Sequence, residues 1–224
     1  MKLLAFDTAT DICTVAVWTD GSVHERCEIG RRHAERLLVM IDEALADVGA
    51  TLRSMDAICF GRGPGSFTGL RICAGVAQGL AFGADLPVVA VSSLAATAQY
   101  AQSERVLAAF DARMQQVYWG AFVSGPDGLV KPEGEEQVIA PSAVPLPSTS
   151  NWLGAGNGWE QYATPLEERL GGRVYSWRAG CYPSARCVAE LGARDFLEGK
   201  AVAAEQALPV YLRDNVAVKS GVKS

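Results

Sequence analysis

Apolar and polar residues first alternate with a period of two, then switch to a period near four. Lys2 to Thr8 is an apolar run ending in Asp7, and from Asp11 to Thr19 the residues Cys13, Val15 and Val17 alternate with Thr14, Ala16 and Trp18. Both read as strands. The turn Thr19-Asp20-Gly21-Ser22 leads to a more polar third strand, Val23 to Ile29, because Asp-Gly supplies the positive φ of a tight hairpin. Strands joined this way are antiparallel, so the sheet they start is mixed. From Arg31 to Val48 the apolar positions Ala34, Leu37, Leu38, Ile41, Leu45 and Val48 share one helical face, and Gly49 ends the helix.

A short buried strand, Ala57 to Phe60, then runs into Gly61-Arg62-Gly63-Pro64-Gly65-Ser66-Phe67-Thr68-Gly69. Gly63, Pro64, Gly65, Ser66 and Gly69 are assigned to a structural turn: glycine allows close backbone approach and proline fixes one φ. Ser66 or Thr68 can cap the helix that follows. No Gly-Lys-Ser/Thr follows, so this is not a P-loop. Pro64 breaks a nucleophile elbow around Ser66. The turn either packs two buried elements or offers its free N–H groups to an anion or a partner's backbone. The helix, Leu70 to Phe82, is apolar nearly all round and rich in small residues, including Ala74, Gly75, Ala77 and Gly79. Such a helix is either internal or partly covered by another chain.

Leu86 to Val91 reads as a strand and Ser92-Ser93 as the start of a helix reaching Gln102. Strands follow at Arg105 to Phe110, Val117 to Ser124 and Gln137 to Ala140. Leu107-Ala108-Ala109-Phe110-Asp111 resembles Leu3-Leu4-Ala5-Phe6-Asp7, and in both places a polar turn, a strand and an Asp-Gly hairpin come next. This internal repeat predicts an α/β chain of two related lobes, residues 1–102 and 103–224. Further on come a proline-rich loop from Ala140 to Ser150, a second glycine turn at Gly154 to Gly158 and an amphipathic helix from Ser184 to Phe196. Tyr211-Leu212-Arg213 is a strand or turn, and a basic, loose tail runs from Val216 to Ser224.

At 224 residues, 49% hydrophobic and 20% charged, the chain can build a proper core. Its net charge of −5 argues against a protein that grips a phosphate backbone unaided. The six cysteines form no C-x-x-C pair, so no thiolate metal site is expected. A start in Met-Lys followed at once by a strand, with no long apolar run, leads to an expectation of no signal peptide, no membrane span and a cytoplasmic location. Asp7, with Thr8 behind it, and Asp111 each end a strand before a polar turn; they either hold a metal and its phosphates across a cleft or cap their own turns. The two histidines, His24 and His33, have no metal-ligand spacing, and His33 reads as a helix-start or interface residue.

The run Gly63-Pro64-Gly65-Ser66-Phe67-Thr68-Gly69-Leu70-Arg71-Ile72 resembles the signature of the TsaB family, formerly YeaZ. Supporting stretches are Leu4 to Thr10, His33 to Leu38, Phe110-Asp111-Ala112-Arg113 with Val117-Tyr118, and Pro209 to Arg213. The resemblance implies the two-lobed actin/Hsp70-like ATPase fold, ribonuclease H-like, with mixed sheets and a degenerate nucleotide site at Asp7, Thr8 and Asp111. It implies a non-catalytic subunit, with no metal, cofactor or protease site, that stabilises its paralogue TsaD and works with TsaE to make threonylcarbamoyl-adenosine in tRNA. By the same resemblance the chain meets tRNA only through that complex and self-associates when alone. Its partner face would comprise His33, Leu37, Leu38, Ile41, Arg71, Ala74, Gly75 and Gln78. The competing expectation is an ATP-binding or ATP-hydrolysing enzyme that uses Asp7 and Asp111.

Overall fold

A computed structural model describes residues 1–19, 21–30 and 32–213. Asp20, Arg31 and the basic tail read from Val216 onward lie outside the described residues. The first half runs β1 (Lys2–Asp7), β2 (Ile12–Thr19), β3 (Ser22–Ile29), α1 (His33–Asp47), β4 (Ala57–Gly63), α2 (Phe67–Ala84), β5 (Val88–Ser92) and α3 (Ser93–Tyr100). Its strands lie in the order β3-β2-β1-β4-β5. The hairpin pairs antiparallel, whereas β1–β4 and β4–β5 are parallel, so the sheet is mixed as the Asp-Gly turn requires.

The second half runs β6 (Arg105–Asp111), β7 (Val117–Ser124), β8 (Val130–Pro132), β9 (Gln137–Ile139), β10 (Trp152–Ala155), α4 (Asn157–Leu170), β11 (Val174–Arg178) and α5 (Ala185–Leu197). Its sheet order is β11-β10-β6-β7-β8, with β9 also on β7. Read from the other edge, this is the first sheet again, with β6, β7, β8, β10 and β11 in the places of β1, β2, β3, β4 and β5. The counterpart of α1 is missing; β9 and the proline-rich loop take its place. The repeat read at Asp7 and Asp111 therefore extends to the strand order of both sheets.

Three apolar cores hold the layers. One lies between the first sheet and α1 with α2, around Phe6, Leu37, Ile41, Phe60 and Ala77. Another lies between the second sheet and α4, around Trp119, Trp152, Trp159 and Leu166. The third joins the two sheets through α3 and α5, around Leu3, Val91, Leu94, Phe122, Val188 and Leu191. Here the helices are exchanged. Helix α3, from the first half, packs on β6 and β7, while α5, from the second half, packs on β1, β2, β4 and β5. Among the described residues no helix is long and apolar enough to cross a membrane.

Helix α4 has no clear period in the sequence. Pro165 lies inside it, and Tyr162 leaves helical geometry at φ −130°.

Candidate partner face and inter-lobe cleft

The glycine turn is built to receive the end of β1. A Cβ on Gly61 would lie 1.8 Å from Asp7 Oδ2, one on Gly65 2.4 Å from the Ala9 carbonyl oxygen, and one on Gly69 1.9 Å from the Thr8 carbonyl oxygen. These glycines are thus demanded by the chain's own packing. The Ser66 amide donates to the Ala9 carbonyl at 2.7 Å. Ser66 Oγ caps α2, accepting from the Gly69 amide at 3.4 Å. The Gly63–Pro64 peptide is cis, and Gly63 sits at φ 99°. The second glycine turn repeats the device, since a Cβ on Gly156 would lie 2.3 Å from the Ala109 carbonyl oxygen.

Asp7 is 0% exposed. Its Oδ1 accepts from the Ala9 amide at 2.7 Å and its Oδ2 accepts from the Ser93 hydroxyl at 2.6 Å. Burial pushes this carboxyl up to about 7, against the lowering pull of both hydrogen bonds. Thr8 is also fully buried and donates from Oγ1 to the Gly69 carbonyl at 2.8 Å.

A cleft of 550 Å³ opens between the lobes, lined among others by Thr10, His33, Ser66, Phe67, Asp111, Arg113, Asn157 and Tyr211. Asp111 faces it; Asp7 and Thr8 do not. Asp111 accepts from the Arg113 amide at 2.8 Å and from Tyr162 Oη at 3.2 Å, and its other oxygen pairs with the Arg113 guanidinium at 3.0 Å. The residues therefore do not fit a magnesium-nucleotide. One carboxylate is sealed inside, the other is neutralised by arginine, and the Ala9 carbonyl fills the α2 N-terminus where a phosphate would be favoured. Among the described residues no group of three His, Cys, Asp or Glu side chains could hold a metal ion.

The expected partner residues divide by orientation. Leu37, Ile41 and Ala74 point into the core behind the first sheet. His33 is buried at the head of α1, its Nε2 donating to the Thr10 carbonyl at 2.8 Å and its Nδ1 left without a hydrogen-bond partner among the described residues. Leu38 is 48% exposed, and Arg71 and Gly75 are exposed, with Gln78 half-buried. Around them lie Val39 and Phe82, the latter at 83% exposure, which the sequence reading left out, and Gly79 and Gly83 of the small-residue helix that it read as open to another chain. A Cβ added at Gly75, Gly79 or Gly83 would meet nothing within 4 Å. Their spacing of four puts all three on the outer side of α2.

A buried latch outside that face was also not read from the sequence. Glu136, from the loop after β8, accepts a short hydrogen bond from the Ser92 hydroxyl and lies 3.5 Å from the Arg62 guanidinium on β4. Burial raises its carboxyl above the usual range.

Residues 25–165 match the sequence model of the family described as TsaD, tRNA N6-adenosine threonylcarbamoyltransferase. The tRNA threonylcarbamoyladenosine biosynthesis protein TsaB of Escherichia coli is 42% identical, over 98% of this chain and 97% of that protein. TsaB of Haemophilus influenzae is 41% identical, over 98% of this chain and 96% of that protein. The solved structure of YeaZ from Pseudomonas aeruginosa superposes with a TM-score of 0.88 at 45% identity, covering 94% of this chain and 99% of that one. The first match covers 141 of the 224 residues, whereas the TsaB and YeaZ likenesses run nearly from end to end. This chain belongs to the TsaB (YeaZ) family of tRNA threonylcarbamoyladenosine biosynthesis proteins.

Proposed function

We propose that the chain is the non-catalytic, activating subunit of a tRNA N6-threonylcarbamoyladenosine complex, and that it docks TsaD through the outer faces of α1 and α2. The observation that carries this reading is the stripe Gly75, Gly79 and Gly83. Each glycine inside a helix costs about 0.5–1 kcal/mol relative to alanine. The glycines against β1 offset that cost by close packing, but a Cβ added at any of these three would meet nothing within 4 Å. A second helix lying in the groove would give them a use, and Leu38, Val39 and Phe82 flank it with exposed apolar surface. Gln78 would then pair at its edge, while Arg71, expected beside it, turns its guanidinium to the Phe67 ring and Tyr211 at the cleft. Leu37, Ile41, Ala74 and His33 support the face from beneath by fixing how α1 and α2 sit on the sheet.

With no TsaD present, the same groove offers itself to a second copy, which gives self-association. TsaE joins at the assembled pair, and the chain shares in work on tRNA as part of that assembly. Asp7, Thr8 and Asp111 are the remains of a nucleotide site, now spent on internal hydrogen bonds and an arginine pair. The competing reading, an ATPase, has the sealed Asp7 against it; calorimetry with millimolar magnesium-ATP tests it, and a binding isotherm would revive it. No constellation among the described residues suits peptide hydrolysis.

The deciding experiment is Gly79→Leu. The lone chain should fold with an unchanged circular-dichroism spectrum but as a monomer, while co-elution with TsaD on size exclusion and stimulation of tRNA modification are lost. Undiminished complex formation would refute the docking face.

A further inference from the structure

We infer that the mouth of the inter-lobe cleft, built from Phe67, Arg71, Met114, Tyr211 and Arg213, is a contact surface for single-stranded RNA. The inference rests on the reading that the chain works within the tRNA-modifying assembly, and it gives the chain a direct share of the RNA contact that its overall charge of −5 argues against.

The surface is made by residues 208–213 crossing from one lobe to the other. The Val210 amide donates to the Arg62 carbonyl at 2.8 Å. Tyr211 lies on Phe67 with ring centroids 5.5 Å apart. Arg213 reaches the second lobe, donating to Gln116 Oε1 at 2.6 Å and toward Met114 Sδ at 3.2 Å. Arg71 places its guanidinium 3.8 Å over the Phe67 ring and donates to Tyr211 Oη at 3.4 Å.

The groups stay open to solvent. Phe67 is 46% exposed, Tyr211 41% and Met114 76%. Met114 and Arg113 project from three successive left-handed residues, Arg113, Met114 and Gln115, at φ 61°, 53° and 57°. Among the described residues, the acids lining the cleft are Asp111, paired with Arg113 at 3.0 Å, and Asp11. With Arg71, Arg113 and Arg213 against those two carboxylates, the described residues of the mouth carry a positive balance in an acidic chain.

Flat ring faces beside guanidinium planes are what an unpaired base and its phosphates use: the base stacks and the arginines take the charge. An acidic peptide could use the arginines but would leave the 41% exposed Tyr211 ring without a planar partner.

The test uses a fluorescein-labelled, unmodified tRNA anticodon stem-loop, read by anisotropy with the chain in complex with TsaD and, in parallel, with the chain alone. Tyr211→Ala should weaken RNA binding by about 5- to 100-fold, and Tyr211→Phe should restore it to within about twofold, because the ring face does the work. Arg213→Gln should lower the salt dependence of binding by about one counterion. Unchanged RNA affinity in Tyr211→Ala and Arg213→Gln, with TsaD still bound, overturns the inference. Release of TsaD by Tyr211→Ala also overturns it, by assigning the mouth to a protein interface. Failure of the wild-type chain to bind TsaD would instead strike the docking face, and the RNA result would still be read from the lone chain.

Discussion

Replacing Asp7 with asparagine should remove a pH dependence from the stability of the fold. The carboxyl is wholly enclosed, and burial lifts it from 3.8 to about 7. In the unfolded chain it ionises near 4. Between those two values the folded state holds a proton that the unfolded state has released, so stability falls as pH rises and stops falling above about 7. At 1.36 kcal/mol per pH unit, the interval of about three units sets an upper bound of roughly 4 kcal/mol. Asparagine keeps the shape, accepting from the Ala9 amide and presenting an N–H to Ser93, and has no proton to lose. Urea unfolding of both proteins at intervals from pH 4 to pH 8 gives the difference, in which the other titrating groups cancel. The variant should gain on wild type by several kcal/mol across that range, most of it between pH 5 and 7, at constant m-value. Two curves that stay parallel within about 1 kcal/mol would refute the account, because a sealed, raised carboxyl cannot be silent to pH.

The same substitution at two glycines of α2 should act with opposite sign. Gly69→Ala drives a Cβ to 1.9 Å from the Thr8 carbonyl oxygen and should cost about 3 kcal/mol or more, whereas Gly79→Ala meets open space and should gain up to about 1 kcal/mol in denaturant melts of the monomer. Trp159→Phe loses the indole N–H that donates to the Leu107 carbonyl at 2.8 Å and leaves space beneath Gly154; a loss of about 2–4 kcal/mol in chemical denaturation is expected. Of the six thiols, Cys27 alone is exposed; burial raises all six above the usual thiol range, Cys27 included, so access rather than acidity sets it apart. Native titration with an aromatic disulfide should therefore show one rapid equivalent, lost in Cys27→Ser.

The sequence was legible where one face of an element is buried and its neighbour is next in the chain. The hairpin of β2 and β3, helices α1 and α2 and the duplicated strands at Asp7 and Asp111 all carry that signal. It failed at α4, where Pro165 and the bent Tyr162 break the period. It also could not say which sheet an amphipathic helix would cover, so the exchange of α3 and α5 left no trace in the pattern. At the partner face, Leu37 and Leu38 are both apolar and were grouped together, yet adjacent helical residues point about 100° apart, and the structure buries one and exposes the other. Asp7 read as either a metal-site acid or a cap of its own turn; it does cap that turn through the Ala9 amide, but nothing local records that Gly61 makes room for its carboxylate inside.

The crossing of α3 and α5 bears on how the protein is made. The side of the first sheet that carries Leu3, Ala5 and Cys59 is covered by Val188 and Leu191, which are synthesised more than a hundred residues later. At ribosomal speeds of about 5–20 residues per second, that side waits roughly 5–25 seconds for its cover. Nascent chains stalled before residue 185 should thus be a natural cargo for chaperones, and neither half expressed by itself would shed its sticky inner surface.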